Sequence, residues 1–175
     1  PLAGLAVCKA IREFTGLDCR IKWPNDIIIG KKKLVGILTE MSAQFDYINH
    51  IVIGIGINVH NEAFPEEISA VAGSILLESG GRRFRRAEII EKTLEHFEEY
   101  YEIYLQTEDL SALTADYNAL LVNMNKQVKV LDPKDEFEGK AMGITARGEL
   151  IVDTWESRKL VSSGEVSVRG IYGYV

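Results

Sequence analysis

The sequence predicts a chain in which strands and helices keep to separate stretches and a compact all-β module closes the C-terminal end. Three changes of pattern carry that prediction. Residues 20–60 are rich in strand formers, and the apolar period turns helical from about Ala70 to Val122. After "NMNKQ", short alternating segments return, separated by Asp-Pro, Gly and Arg-Gly.

The opening "PLAGLAVCKAIREFTG" places Leu2, Leu5, Cys8 (or Ala6), Ile11 and Phe14 at helical spacing, with Gly16 set to end the helix. Strands are expected near Arg20 to Lys22, Ile27 to Ile29, Lys33 to Met41 and Ile51 to Val59. Further on, Ile90, Leu94, Phe97, Tyr101 and Tyr104 form a stripe backed by charge, expected to be the buried face of a long helix. The last third reads as a module of five or so short strands, with a boundary near Asn123 to Gln127. No repeat or low-complexity segment interrupts this order.

Bulk properties exclude several classes. A chain of 175 residues with 46% hydrophobic and 26% charged residues is globular in composition and long enough for a good core. A net charge of −6 and a pI near 5.2 argue against a nucleic-acid partner. The basic "GRRFRR" of Gly81 to Arg86 directly precedes a helical pattern and reads as a solvated helix entrance. Cys8 and Cys19 show neither a disulfide framework nor metal spacing, and His50, His60 and His96 are scattered. No apolar run reaches the ~20 residues of a membrane span, so a cytoplasmic location is expected. The chain opens without Met and reads as a piece of a longer protein.

The informative stretch is "KWPNDIIIGKKKLVGILTE", Lys22 to Glu40. If Lys33 to Met41 and Ile51 to Val59 form a hairpin turning around Ala43 to Asn49, partner numbers sum to about 91 or 92. Lys33 then faces Asn58, and Gly36 lies beside Ile55 or Gly56. A tighter hairpin through Gly30 to Lys32 returns Asp26 against Val35 or Gly36. Asp26, Lys33 and Asn58 are thus expected to converge on one end of a sheet. In "IVIGIGINV", Gly54, Gly56 and Asn58 share one face and Ile53, Ile55, Ile57 and Val59 the other. One face is expected to be packed and the other bare. Bare glycines mark either the approach of a ligand or close packing of a helix.

"KWPND", then "KLVGIL", then "GIGINV", with "GEVSVRG" near the end, resembles the biotin protein ligase family in motif order and spacing. The resemblance runs from the first helix to the last strand. It implies an α+β fold with a mixed β-sheet and helices of the biotin/lipoate ligase (class II synthetase-like) type, followed by a small SH3-like β-barrel. Residues 1–124 would be the C-terminal portion of the catalytic domain and residues 125–175 the barrel. The implied activity is ATP-dependent activation of biotin to biotinyl-5'-AMP and its transfer to a lysine of a biotin carboxyl carrier protein, with ATP and Mg2+ required and a homodimer as the assembly.

Carried over residue by residue, the resemblance assigns Lys33 to the biotin carboxylate and the adenylate phosphate. It assigns Asn25, Asp26 and Asn58 to nucleotide and magnesium handling, and Gly36, Ile37, Gly54 and Gly56 to the walls around the ligand. Asp26 is a candidate either to hold Mg2+ or to orient the incoming lysine. Trp23 is grouped with the binding residues, and with Pro24 it is expected to shape the loop rather than react. The family's glycine- and arginine-rich loop, which closes over biotin, lies upstream of the opening helix and is absent here. The chain is therefore expected to be incomplete and inactive alone. Rival readings are a lipoate or octanoate transferase of the same fold, a binding module built on the barrel, and a folded remnant.

Overall fold

A computed structural model describes residues 1–44, 47–132, 135–164 and 166–170. The tip of the expected turn at Phe45 and Asp46, Pro133 of the Asp-Pro punctuation, Glu165 of "GEVSVRG" and the closing residues 171–175 lie outside the described residues.

The opening apolar spacing folds as α1 (Leu2–Thr15), which ends where Gly16 takes a left-handed conformation and its N–H bonds the Arg12 carbonyl. Four strands follow, β1 (Arg20–Lys22), β2 (Asp26–Ile29), β3 (Lys32–Ala43) and β4 (Ile48–Ile57), in the spatial order β1-β2-β3-β4. Each pair is antiparallel, and parallel contacts occur as isolated bridges, Ile21 with Leu121 and Lys33 with Ala72. Short helices α2 (Glu66–Ser69) and α3 (Ile75–Glu78) lead to the long α4 (Arg86–Thr107); a 3-10 turn, Ser111–Leu113, then runs into α5 (Thr114–Leu120). None of the described helices is long and apolar enough to cross a membrane.

The last part forms a second antiparallel sheet of five strands in the order β8-β7-β6-β5-β9. Its members are β5 (Gln127–Leu131), β6 (Phe137–Ile144), β7 (Leu150–Asp153), β8 (Arg158–Val161) and β9 (Ser167–Gly170). Its inward positions, Val128, Val130, Ala141, Leu150, Val152 and Val168, are buried and continuous with the core under α1.

Two adjacent rows across the first sheet explain its two faces. Ile21, Ile27, Val35 and Ile57 are successive cross-strand partners, as are Lys22, Asp26, Gly36 and Gly56 one residue along. Side chains alternate along a strand, so the two rows project from opposite faces. Ile21, Ile27 and Val35 belong to the same core as Leu5, Val7 and Ile11 of α1. The polar and glycine row therefore faces away from the helix.

Two expectations are corrected. The stripe of Ile90, Leu94, Phe97, Tyr101 and Tyr104 is not the buried face of α4, because Ile90, Leu94 and Tyr101 are 56%, 61% and 45% exposed. The helix turns Ile89, Thr93 and Tyr100 inward instead. A neighbouring stripe with the same spacing faces inward, and with this rotation Lys92 and His96 both reach Glu13 of α1. Nor is one face of β4 packed: Ile51, Ile53 and Ile55 all remain more than a third exposed, and burial is complete only beyond the strand at Val59.

Candidate functional site

The register brings the expected residues together with one change. Gly30 and Lys31 form a two-residue turn between the paired Ile29 and Lys32, and Gly30 has the positive φ that such a turn needs at its first position. Counting back from this turn would set Ile28 against Lys33 and Ile27 against Leu34. A bulge at Leu34 shifts the pairing, so Ile27 meets Val35 and Asp26 meets Gly36. The β3–β4 hairpin keeps Gly36 opposite Gly56 and Leu38 opposite Gly54.

The expected facing of Lys33 and Asn58 does not occur. Asn58 lies beside Leu34, donating its N–H to the Leu34 carbonyl. Lys33 is flanked by the segment after α2: its N–H donates to Val71 O and its carbonyl accepts from Gly73 N. Asn58 still belongs to this end of the sheet, since its Nδ2 donates to Gly73 O at 3.0 Å.

Lys33 stretches across Gly36. A Cβ on Gly36 would sit 3.2 Å from Lys33 Cε and 3.3 Å from its Nζ, so a side chain there would displace the ammonium. That ammonium lies 2.5 Å from Asp26 Oδ1, and Asp26 itself is 7% exposed. Beyond it, Gly54 and Gly56 are exposed, and a Cβ on either would meet only backbone oxygen, at 3.7 and 3.8 Å. Among the described residues, no side chain comes within 4 Å of a Cβ at either glycine. Of the two readings of a bare strand, ligand approach is the one this floor supports.

Lys22 is the residue that reading the sequence passed over. It is 5% exposed and sits directly across from Asp26. Burial pushes its ammonium below the ordinary value, Asp26 opposes that push, and Lys33 and Arg169 of the second sheet add to it. The same pairing count that placed Asp26 opposite Gly36 would have found it. The row thus runs from a buried cation, through a carboxylate shared with a second cation, to a glycine floor open to solvent.

The remaining candidates hold the loop. Asn25 and Ile37 are tied twice: Ile37 N–H donates to Asn25 O at 2.9 Å and Asn25 Nδ2 to Ile37 O at 2.8 Å. The Ile37 side chain points to the opposite face, where its Cδ1 lies 3.8 Å from the Cβ position of Gly4 on α1. There it lines a cavity together with Gly4, Trp23, Asn25 and Ile53. Trp23 is 1% exposed, and its indole donates to Gly148 O of the second sheet. The Trp23–Pro24 peptide is cis. Among the described residues, no group of three His, Cys, Asp or Glu side chains could hold a metal. Asp26, set between Lys22 and Lys33, does not suit a resident cation.

Fold and site together define an α+β protein with a small appended β module, whose helix-free sheet face offers two lysines and a carboxylate beside a glycine floor. Residues 2–58 match the Biotin/lipoate A/B protein ligase family and residues 124–169 the Biotin protein ligase C terminal domain. The chain is 36% identical over 169 residues to the Bifunctional ligase/repressor BirA of Bacillus subtilis, covering 95% of this chain and 51% of that protein. It is 32% identical to the Biotin--[acetyl-CoA-carboxylase] ligase of Mycobacterium tuberculosis over 94% of this chain and 59% of the relative. The Aquifex aeolicus biotin protein ligase, solved in complex with biotin and ATP, superposes with a TM-score of 0.84 at 30% identity, over 97% of this chain and 69% of that one. The chain belongs to the biotin protein ligase family, and it spans about half the length of the curated relatives it matches.

The burial of Lys22 makes a prediction about pH. Its folded pKa lies below 10.5, so between that value and 10.5 the unfolded chain binds more protons, and stability rises with pH across that interval. Urea unfolding of the wild type and Lys22→Met should show the wild type gaining relative to the variant as pH climbs towards 10.5. A difference independent of pH would mean that Lys22 is solvated.

Proposed function

We propose that this chain carries the lysine-bearing half of a site that activates biotin with ATP and passes it to a carrier-protein lysine. The observation that carries the reading is the row Lys22, Asp26, Gly36, Gly56 with Lys33 lying across it. In the first step, a biotin carboxylate oxygen attacks the α-phosphorus of ATP, forming the acyl-phosphate bond of biotinyl-5'-AMP and releasing pyrophosphate. Both reactants are anionic. A fixed ammonium at Lys33 offsets their repulsion and stabilises the charge that develops on the phosphoryl oxygens.

In the second step, the carrier lysine amine attacks the acyl carbon, an amide forms and AMP leaves with the electron pair of the broken bond. The amine must lose a proton, and the Asp26 carboxylate stands beside Lys33 to orient it. Mg2+ would offset charge on the nucleotide, and Asp26, already paired with Lys33, would not be its ligand. Gly36, Gly54 and Gly56 give the ligand a floor without side chains, and Asn58 steadies the adjoining segment through Gly73. Trp23, Asn25 and Ile37 serve by fixing the loop.

We assign residues 1–124 to the catalytic portion and 125–175 to the barrel. The acceptor is a biotin carboxyl carrier protein. A reducing, cytoplasmic setting is the one that suits a chain with two cysteines and neither a disulfide framework nor metal spacing. Two copies pair along the edge strand β4, whose Ile51, Val52, Ile53 and Ile55 stand at the surface.

Calorimetric titration tests the chemistry. The chain should bind biotinyl-5'-AMP in preference to lipoyl-5'-AMP, and Lys33→Ala should lower that affinity about 100-fold, the scale of losing one positioned charge donor. Equal affinity in the variant, or preference for the lipoyl compound, would contradict the assignment. Sedimentation should show a dimer at high micromolar concentration, and a monomer there would rule out pairing along β4.

A further inference from the structure

The second sheet reaches the loop of Trp23 to Asp26 through the turn between β6 and β7. Thr145 to Glu149 close on themselves, with Gly148 N–H donating to Thr145 O and Thr145 N–H to Glu149 O, both at 2.9 Å. Three parts of the first domain hold this turn. Leu110, beyond α4, donates its N–H to Ala146 O at 2.8 Å. Pro1, at the start of α1, fits so closely that a Cβ on Gly148 would come within 2.7 Å of its Cγ. Trp23 donates its indole N–H to Gly148 O at 3.0 Å. Gly148 also has φ +81°, which a side chain would strain, so both the conformation and the space call for glycine there.

We propose that this turn is a latch that positions the loop of Trp23 to Asp26, with Trp23 and Gly148 as positioning residues for the site; the inference rests on the function proposed above. Trp23 is enclosed and its indole is a donor only, so the buried N–H needs an acceptor. The Gly148 carbonyl, 125 residues away in sequence, supplies it. Two residues on, Asn25 clamps Ile37 of β3 through both of its bonds, and Asp26 meets Lys33. The carboxylate is therefore set from two sides, by its own sheet and by the turn. A shift of the turn would move Trp23, and through the short loop it would move Asn25 and Asp26 over the glycine floor. Arg169 of β9, close enough to act on Lys22, brings the same module to the other end of the row.

The test reads the loop directly. The Ile37 amide is protected by the Asn25 carbonyl, so its hydrogen exchange reports whether the loop is seated. Trp23→Phe keeps a ring in the slot and deletes the donor, and Gly148→Ala disturbs the latch from the other side. In each variant, Ile37 exchange should quicken while Val7 in α1 and Val152 in β7 keep their rates. Affinity for biotinyl-5'-AMP should fall about tenfold, the scale of one buried hydrogen bond. A general loss of stability would quicken all three amides together and overturn the proposal. Unchanged Ile37 exchange in both variants, or quickened exchange with unchanged affinity, would also overturn it. If the wild type fails to bind the adenylate, the proposed function falls, while the exchange pattern still decides the latch.

Discussion

The pairing register of β2, β3 and β4 is the constraint on which the site depends. Asp26, Gly36 and Gly56 share a row only because the bulge at Leu34 shifts β2 against β3 while the wider hairpin stays in step. A slip of one residue would carry Asp26 to the helix-covered face and bring an isoleucine out in its place. The register is secured by the neighbouring row, because Ile21, Ile27 and Val35 are committed to the core under α1. Hydrophobic burial on one face thus fixes the polar geometry of the other. The charges require no ordering of their own beyond the reach of the Lys33 side chain.

The electrostatics follow from the same row. One carboxylate stands between two lysines, and the exposed end of the row has no side chains. An anion arriving on the glycines would meet Lys33 first, and Lys33 can turn from Asp26 to the ligand without leaving the carboxylate alone, because Lys22 remains opposite. Such an arrangement tolerates the added negative charge of a nucleotide better than a single ion pair would. The cost of removing the Lys22 ammonium from water is offset in part by Asp26 across from it.

Much of this was legible in the sequence where short-range geometry decides. The end of α1 at Gly16, a tight hairpin through Gly30 to Lys32, and Gly36 beside Ile55 or Gly56 all follow from spacing and turn chemistry, and the structure selects Gly56. The five-strand closing module follows from punctuation. What was not legible depends on contacts distant in sequence. The rotation of α4 depends on its packing against α1, and two stripes at the same spacing cannot be told apart within the helix itself. Lys33 is flanked by Val71 to Gly73, a partner that no strand pattern announces. The indole of Trp23 finds its acceptor in the turn between β6 and β7, far along the chain. Ile37 is assigned by resemblance to the walls around the ligand, and simple alternation from Gly36 sets it on the face opposite the glycines.

The central claim is that the glycine floor is bare for a ligand and not for packing. Gly56 tests it most directly, because a Cβ there meets nothing closer than a backbone oxygen at 3.8 Å and a β-branched residue suits a strand. The measurement is the affinity of Gly56→Val for biotinyl-5'-AMP, taken beside its melting temperature. The account predicts that the variant melts no lower than the wild type and no longer binds. Binding at wild-type strength, or a fold that collapses because the glycine was needed for packing, would contradict it.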